Sequence, residues 1–363
     1  MWYLENKLLL KGEQTMKKNY QYMNVKWKVL ADQDVLEKME HLLGDYYKEN
    51  LGEDIEIDFE VCLKKEKSSN LTEVLEYGKD IIIHNSKKPS VHEEGLEYKN
   101  GLTKIVYNKT SKSIYELNYL AKRIDVFNTD TTALAKDGIR VIRDIVKSLV
   151  EEQGAVMIHA AAFKKNNRGI ILIGGKGSGK TTISLKFLYE HGFTEVSRDR
   201  IILKKEKNKY FVHGWPNYYN LTLRTMKKFK ETIQILPEQY RNMNDTELEN
   251  TNIKIQCTAN EVGIQKKAQV MELTDTVFLI NKAKSNVTSM EYLLATNFYT
   301  PSDLNYPDWH EWIGGKEEKR RNGIELAKDL LSHGNCHIVQ WKEIDEAVDK
   351  IYEILNRGKS NEC

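Results

Sequence analysis

The chain has few cysteines, almost no net charge and no long apolar run, and each shortage excludes a class of protein. Its 4 cysteines are scattered over 363 residues without a C-x-x-C pair, which excludes a disulfide framework and a cysteine-rich zinc site and favours a reducing compartment. Lys and Arg number 55 against 53 Asp and Glu, so no global field favours nucleic acid or an anionic membrane as partner. No stretch approaches the roughly eighteen apolar residues of a membrane span, and the N-terminus does not resemble a signal peptide. We expect a cytoplasmic protein.

Length and composition predict two domains with a sizeable core, because the chain has 363 residues, 40% of them apolar. Residues 1–128 alternate short β-like runs, such as residues 25–30 and 55–61, with a helix marked by Val35 and Met39. We expect an α+β module with an antiparallel sheet there, serving substrate or partner recognition. A helix from about Thr132 to Gly154 joins it to the second domain, residues 129–363.

A complete phosphate-binding loop lies in the second domain, where residues 174–181 read GGKGSGKT. The buried run at residues 169–173 predicts the preceding strand, and residues 181–190 predict an amphipathic helix. Such a loop points successive N–H groups at phosphates, while its lysine reaches the β/γ-phosphates and its Ser/Thr hydroxyl ligates Mg²⁺. The sequence therefore predicts an ATP-binding α/β core with a mixed sheet. The predicted nucleotide contacts are Gly174, Gly175, Lys176, Gly177, Ser178, Gly179, Lys180, Thr181 and Thr182.

Three further segments flank this loop. Residues 156–162 read VMIHAAA, residues 196–200 read VSRDR and residues 213–216 read HGWP. In this order the segments resemble the HPr kinase-like family, which is related in fold to ATP-dependent phosphoenolpyruvate carboxykinase. The resemblance covers about residues 154–280 and implies a P-loop kinase fold, ATP, Mg²⁺, and phosphoryl transfer to a serine hydroxyl of a protein or peptide. Kinase relatives are oligomeric, so it also implies a homo-oligomer.

The resemblance carries over to only some site residues. His159 matches the histidine of a His-Ala-Ala strand, and Asp199 matches the second acid of an acidic pair, which implies a metal-binding role together with Thr181. Arg198 stands where the family has the first acid. A carboxylate is thus missing from the place where a seryl proton would be accepted.

The candidate catalytic residues are Lys180, Asp199, Arg198 and His159, and the last two have competing interpretations. Arg198 is either a cationic clamp on the transferred phosphoryl group or the partner of an acid elsewhere. His159 is either catalytic or a hydrogen-bonded core residue.

Three functions remain open from sequence. The first is an ATP/Mg²⁺-dependent phosphotransferase acting on a peptide, protein or small hydroxyl compound. The second is an ATP-binding switch or ATPase without kinase activity, which would explain Arg198 directly. The third is an ATP-dependent step in making a modified peptide.

Overall fold

The computed structural model describes residues 15–49, 56–85, 92–283, 289–299 and 307–356. Two compact units emerge, the first within Met1–Val150 and Pro301–Gly315 and the second within Glu151–Thr300 and Lys316–Cys363. The predicted assignment of recognition to residues 1–128 and nucleotide binding to residues 129–363 stays a prediction.

The first unit is built from short strands and three helices among its described residues. In chain order these are β1 (Met16–Tyr22), β2 (Val25–Ala31), α1 (Gln33–Leu43), β3 (Lys48–Glu49), β4 (Phe59–Lys64), α2 (Leu71–Tyr77), β5 (Lys79–His84), β6 (Glu93–Asn100), β7 (Thr103–Asn108), β8 (Ile114–Asn118), β9 (Arg123–Phe127) and α3 (Thr131–Glu152).

These strands correct the expectation of an antiparallel sheet. The nine strands of the described residues pair in the order β3-β1-β2-β4-β9-β8-β7-β6-β5, and both β2–β4 and β4–β9 are parallel. The helix α1 lies between β2 and β4, and a helical crossover returns the chain in the same direction. The strand predicted at residues 55–61 is also corrected, because β4 begins at Phe59; residue 55 lies outside the described residues.

Aromatic side chains fill the core of this unit. Trp27 is fully buried and its ring stacks on Tyr20 and on Phe59, with centroids 5.8 Å apart in each pair. Tyr47 meets the same ring edge-on at 4.8 Å. Such offset and edge-to-face contacts add to the free energy gained by burying apolar area, so alternate positions of β1, β2 and β4 anchor the sheet.

The second unit follows the same alternation of strands and helices. In chain order its elements are β10 (Val156–Ile158), β11 (Ala160–Lys165), β12 (Arg168–Ile173), α4 (Lys180–Glu190), β13 (Thr194–Ser197), β14 (Ile201–Glu206), β15 (Lys209–Gly214), β16 (Tyr219–Thr222), α5 (Leu223–Lys227), α6 (Lys230–Ile233), α7 (Glu238–Arg241), α8 (Asp245–Asn250), β17 (Lys254–Cys257), β18 (Val270–Glu272), β19 (Asp275–Asn281), α9 (Met290–Thr296), β20 (Phe298–Tyr299), α10 (Lys316–His333), β21 (Cys336–Trp341) and α11 (Ile344–Asn356).

Two larger sheets organise this unit within the described part of the chain. One runs β13-β11-β12-β19-β21, and the other runs β18-β15-β14-β10-β20. In the first, β12 pairs antiparallel with β11 and parallel with β19, so the predicted mixed α/β architecture is confirmed at this level. No helix among the residues described is long and apolar enough to cross a membrane.

The strand β12 is buried on both faces, as its unbroken apolar sequence predicts. Ile171 and Ile173 pack into the core that also contains side chains of β10 and β14. Ile170 and Leu172 point the other way, into a second core shared with α4 and α11. Packing on both sides fixes the carboxyl end of β12, and the glycine-rich loop, residues 174–179, begins there.

Candidate functional site

The glycine-rich loop joins the end of β12 to the start of α4. Gly177 and Gly179 have φ angles of 81° and 85°, in the left-handed region that glycine adopts without a steric penalty. Gly179 is the N-terminal cap of α4, and Lys180 is the first helical residue. The unpaired N–H groups of the helix start, with the positive end of the helix dipole, therefore face the loop.

Glycine is also required at two loop positions by close packing. A Cβ on Gly174 would lie 2.5 Å from Ser178 Oγ and 2.8 Å from the carbonyl oxygen of Leu279. A Cβ on Gly179 would lie 2.7 Å from the ring of Trp341, on β21. A Cβ on Gly175, in contrast, would meet nothing within 4 Å. The loop is thus pressed against β19 and β21 on one side and open on the other.

Two buried polar groups lie in this loop and at the first residue after it. The Ser178 hydroxyl oxygen is buried and has no hydrogen-bond partner among the described residues. Lys180 is 8% exposed, and its ammonium donates a 2.6 Å hydrogen bond to the carbonyl oxygen of Gly174. Burial lowers the Lys180 pKa to about 8. The negative charge of Asp199 opposes this shift, and the positive charge of Lys254 adds to it. An oxyanion would accept a hydrogen bond from the Ser178 hydroxyl, which is costly to leave buried without a partner, and from the remaining N–H groups of the Lys180 ammonium.

Asp199 follows β13 and is held by three side chains. His159 Nε2 lies 3.1 Å from Asp199 Oδ1, Asn217 Nδ2 donates to Oδ2 at 2.8 Å, and Arg200 Nε lies 3.8 Å from Oδ2. Burial alone would raise the Asp199 pKa, but the hydrogen bond and charge of His159, with the charges of Arg200 and Lys180, hold it well below its usual range. Asp199 is therefore a carboxylate near neutral pH.

His159 corrects the expectation that it sits within a strand. It lies between β10 and β11, where the chain passes from one sheet to the other. Its backbone N–H donates a hydrogen bond to the carbonyl oxygen of Asn297 at 2.7 Å. Burial lowers the His159 pKa, and the hydrogen bond to Asp199 only partly opposes this. The break between the strands frees the ring from the sheet and aims it at Asp199.

An aromatic residue that sequence reasoning missed packs against this pair. Tyr299, on β20, stacks on the His159 ring with centroids 6.0 Å apart. The Arg200 guanidinium lies 5.5 Å from the centroid of the Tyr299 ring. Arg200 thus contacts both the Tyr299 ring and the Asp199 carboxylate. Asn217 and Tyr299 carry no motif, and only the pairing of β10 with β20 and the contact with Asp199 reveal them.

Arg198 has a different neighbourhood. Its side chain is buried, with Nη1 3.6 Å from Glu195 Oε2 and the guanidinium carbon 3.5 Å from the centroid of the Tyr219 ring. The Tyr219 hydroxyl also donates to Glu195. These contacts match the second sequence interpretation, an arginine paired with an acid. A contact with phosphate stays a prediction.

The first turn of α4 is linked to α5 by threonine hydroxyls. Thr182 Oγ1 lies 3.1 Å from Thr225 Oγ1, which lies 2.9 Å from Thr222 Oγ1. Thr181 is half-buried beside Lys180, and Lys176 is exposed on the open side of the loop. The predicted nucleotide contacts therefore form one continuous segment from β12 into α4.

A magnesium site fits these residues only if phosphate supplies most of its ligands. No group of three or more His, Cys, Asp or Glu side chains that could hold a metal occurs in the described ranges. Mg²⁺ in nucleotide sites is commonly held by one or two protein oxygens, with phosphates and water completing the shell. The Thr181 hydroxyl and the Asp199 carboxylate provide that kind of donor.

Comparisons with known proteins add little to this geometry. No protein-family model matches the chain, and no curated protein matches it. Among solved structures, one similar chain is the HPr(Ser) kinase/phosphatase from Coxiella burnetii, at 18% identity and a TM-score of 0.24, over 37% of this chain and 64% of that one. The match spans less than two thirds of that protein's chain. A similarity at this score does not establish a shared fold or activity.

Proposed function

We propose that the chain is an ATP/Mg²⁺-dependent phosphotransferase with a P-loop core of the HPr kinase type. The observation that supports this most is the glycine-rich loop at the start of α4, which has a buried Lys180 ammonium and a buried Ser178 hydroxyl without a hydrogen-bond partner among the described residues. A loop of this kind accepts phosphate oxygens, because its N–H groups, its lysine and the helix dipole all favour negative charge.

In this proposal the chain's own residues position the reactants and move one proton. ATP with Mg²⁺ supplies the transferable phosphoryl group, Lys180 and Ser178 hold its phosphates, and Thr181 and Asp199 hold the metal. His159, neutral near pH 7 and hydrogen-bonded to Asp199 through Nε2, accepts the proton of the attacking hydroxyl on Nδ1. The P–O bond to the acceptor forms as the bond to the leaving ADP breaks. The Asp199 carboxylate stabilises the resulting imidazolium.

The phosphoryl acceptor in this proposal is a peptide, a protein or a small hydroxyl compound, and the first unit recognises it. Arg198, which lies next to Asp199 in sequence, is held by Glu195 and Tyr219. A role in peptide modification is compatible with the same chemistry.

One observation favours a second candidate, an ATPase or ATP-dependent switch. Arg198, rather than a carboxylate, precedes Asp199, and its side chain is engaged by Glu195 and Tyr219. The segment at residues 196–200 then contributes one acid, Asp199, and no second carboxylate that could accept a proton from a hydroxyl substrate. Such a protein would bind ATP equally well and release phosphate without a labelled acceptor.

Nucleotide binding is tested by replacing one buried and one exposed lysine of the same segment. Lys180→Ala removes the buried ammonium and should weaken ATP binding at least about tenfold, because a hydrogen bond to a charged group contributes about 1.5–3 kcal/mol. Lys176→Ala removes the same charge from the open side of the loop and should change affinity by less than about threefold. Calorimetric titration with Mg-ATP measures both. Equal affinities for the two variants would contradict the proposal.

A further inference from the structure

One side-chain amide reaches the candidate site from outside every segment that the sequence singles out there. Asn217 Nδ2 donates a 2.8 Å hydrogen bond to Asp199 Oδ2. Asp199 lies in the turn between β13 and β14, and Asn217 lies between β15 and β16. The contact is therefore made by the fold, through the β14–β15 hairpin, and not by neighbours in sequence.

Hydrogen bonds tie the segment that carries Asn217 to the turn that carries Asp199. The hairpin of β14 and β15 brings the two segments side by side. Just beyond the hairpin, the backbone N–H of Trp215 donates to the Ser197 hydroxyl oxygen at 3.3 Å. That hydroxyl donates in turn to the carbonyl oxygen of Arg200 at 2.5 Å. Trp215 is also 1% exposed, so the amide is carried on a fixed piece of backbone.

Each oxygen of the Asp199 carboxylate contacts a different side chain. His159 Nε2 lies 3.1 Å from Oδ1, and Asn217 donates to Oδ2. A carboxylate held at one oxygen can still turn about its Cβ–Cγ bond, because that torsion is broad, whereas contacts at both oxygens fix its plane. The carboxylate has about four acceptor positions, so these two contacts leave others for a metal ion or its water.

The orientation of Asp199 determines which nitrogen of His159 carries the proton. An ionised carboxylate only accepts hydrogen bonds, so the Nε2 that faces Oδ1 is the protonated nitrogen of the neutral ring. The other nitrogen, Nδ1, is then free to accept a proton. This tautomer is the one that the proposed proton transfer requires, and it depends on Oδ1 staying opposite the ring.

We propose that Asn217 is a positioning residue for phosphoryl transfer. Its amide holds Oδ2 of Asp199, so that Oδ1 stays on His159 and the ring stays in the Nε2–H tautomer. The inference rests on the proposed function and deepens it, since it assigns a role to a residue outside the glycine-rich loop and its flanking motifs. Asn217 acts through Asp199 and not on the reacting atoms.

The kinetic test compares two replacements of Asn217 with one control. Asn217→Ala and Asn217→Leu both remove the donor, and the leucine keeps the size of the side chain. The control is Asn220→Ala, because Asn220 on β16 is exposed and its side chain forms no hydrogen bond within the described ranges. Label transfer from γ-labelled ATP to a cell lysate is measured with Mg²⁺, and thermal melting confirms folding.

Both Asn217 variants should transfer label about ten- to hundredfold more slowly at saturating Mg-ATP, because each loses a hydrogen bond to a charged group. The KM for Mg-ATP should stay within about threefold, since the lost contact orients the reacting groups and does not bind nucleotide. Asn220→Ala should match the wild type in both. If Asn217→Leu transfers label as fast as Asn220→Ala, the positioning role is overturned.

A second readout does not depend on activity. Spectra of the full chain with ¹⁵N-labelled histidine distinguish the two neutral tautomers, and His159→Asn identifies the His159 signals. At about pH 8, where the neutral ring predominates, the wild type and Asn220→Ala should show the Nε2–H form. Asn217→Ala and Asn217→Leu should gain a detectable Nδ1–H form. Unchanged His159 signals in both Asn217 variants would overturn the inference.

The two readouts separate failure of this inference from failure of the proposed function. If the wild type transfers label and the Asn217 variants match it, the role of Asn217 is overturned and the proposed function stands. If the wild type transfers no label while the Asn217 variants change the His159 tautomer, the proposed function fails and the orientation of Asp199 by Asn217 stands.

Discussion

Lys180 combines two properties that rarely occur together, a buried side chain and an ammonium group. Its ammonium is satisfied by one carbonyl oxygen, and burial lowers its pKa to about 8. A bound polyphosphate would favour the charged form and raise that pKa again. Proton uptake by Lys180 is therefore coupled to nucleotide binding near and above pH 8.

This coupling predicts a pH dependence of ATP affinity. At about pH 7 and below, Lys180 keeps its proton in the free protein, so affinity should change little there. Above about pH 8 the free protein loses the proton that the complex needs, and the dissociation constant should rise by up to about tenfold per pH unit. Titrations from pH 7 to 9.5 measure this, since phosphate is fully ionised over that range.

Lys180→Arg is the matched control for this titration, because arginine stays charged over the whole range. Its ATP affinity, even if reduced, should be flat with pH. A flat profile for the wild type would show that Lys180 does not titrate there.

At the residue scale, sequence could identify Lys180 and Asp199 but not their surroundings. Lys180 belongs to a local motif in which spacing alone predicts its role. Asn217 and Tyr299 reach Asp199 and His159 from distant segments, and neither stands in a pattern. The run Ser197 to Arg200 also does not show on which side each side chain lies. In the structure the Arg198 side chain lies next to Glu195, and the Arg200 side chain lies next to Asp199.

The glycine-rich loop, as an element, depends on the strand packed behind it. Trp341 of β21 is 4% exposed and lies against Gly179. The loop conformation is therefore supported both by its own left-handed residues and by the far end of the sheet. A change at Gly179 should disturb both.

Gly179→Ala should lower the melting temperature and weaken ATP binding. A left-handed alanine costs roughly 1–2 kcal/mol, and the new Cβ would lie 2.7 Å from the Trp341 ring. Gly175→Ala, where the space is open, is the control and should melt near the wild-type temperature. Thermal melting followed by tryptophan fluorescence and calorimetry provides both readouts. If the two variants melt together, the assigned packing of the loop is wrong.

Element prediction succeeded where the signal was local. The apolar run before the loop, the helix after it and the amphipathic stripe of α3 are all confirmed by β12, α4 and α3. It failed where the outcome depended on distant partners. One apolar run around His159 became two strands in different sheets, and the direction of β4 was set by the α1 crossover. Neither result is encoded in hydrophobic periodicity.

At the scale of the whole molecule, the candidate site belongs to one unit. Lys180, Asp199 and His159 all lie within the second unit. The first unit has its own aromatic core and its own mixed sheet. Its proposed part in recognising the phosphoryl acceptor stays a prediction, and tests of the reaction should use the full chain.

The central claim, phosphoryl transfer, is tested most directly with γ-labelled ATP, Mg²⁺ and a cell lysate as the source of acceptors. Label transfer and free phosphate are measured together for the wild type, Lys180→Ala and His159→Asn. The account predicts that the wild type labels a discrete component, that Lys180→Ala does not, and that His159→Asn slows transfer about 10²–10⁴-fold. Phosphate release without any labelled acceptor, or labelling that persists in Lys180→Ala, would contradict it.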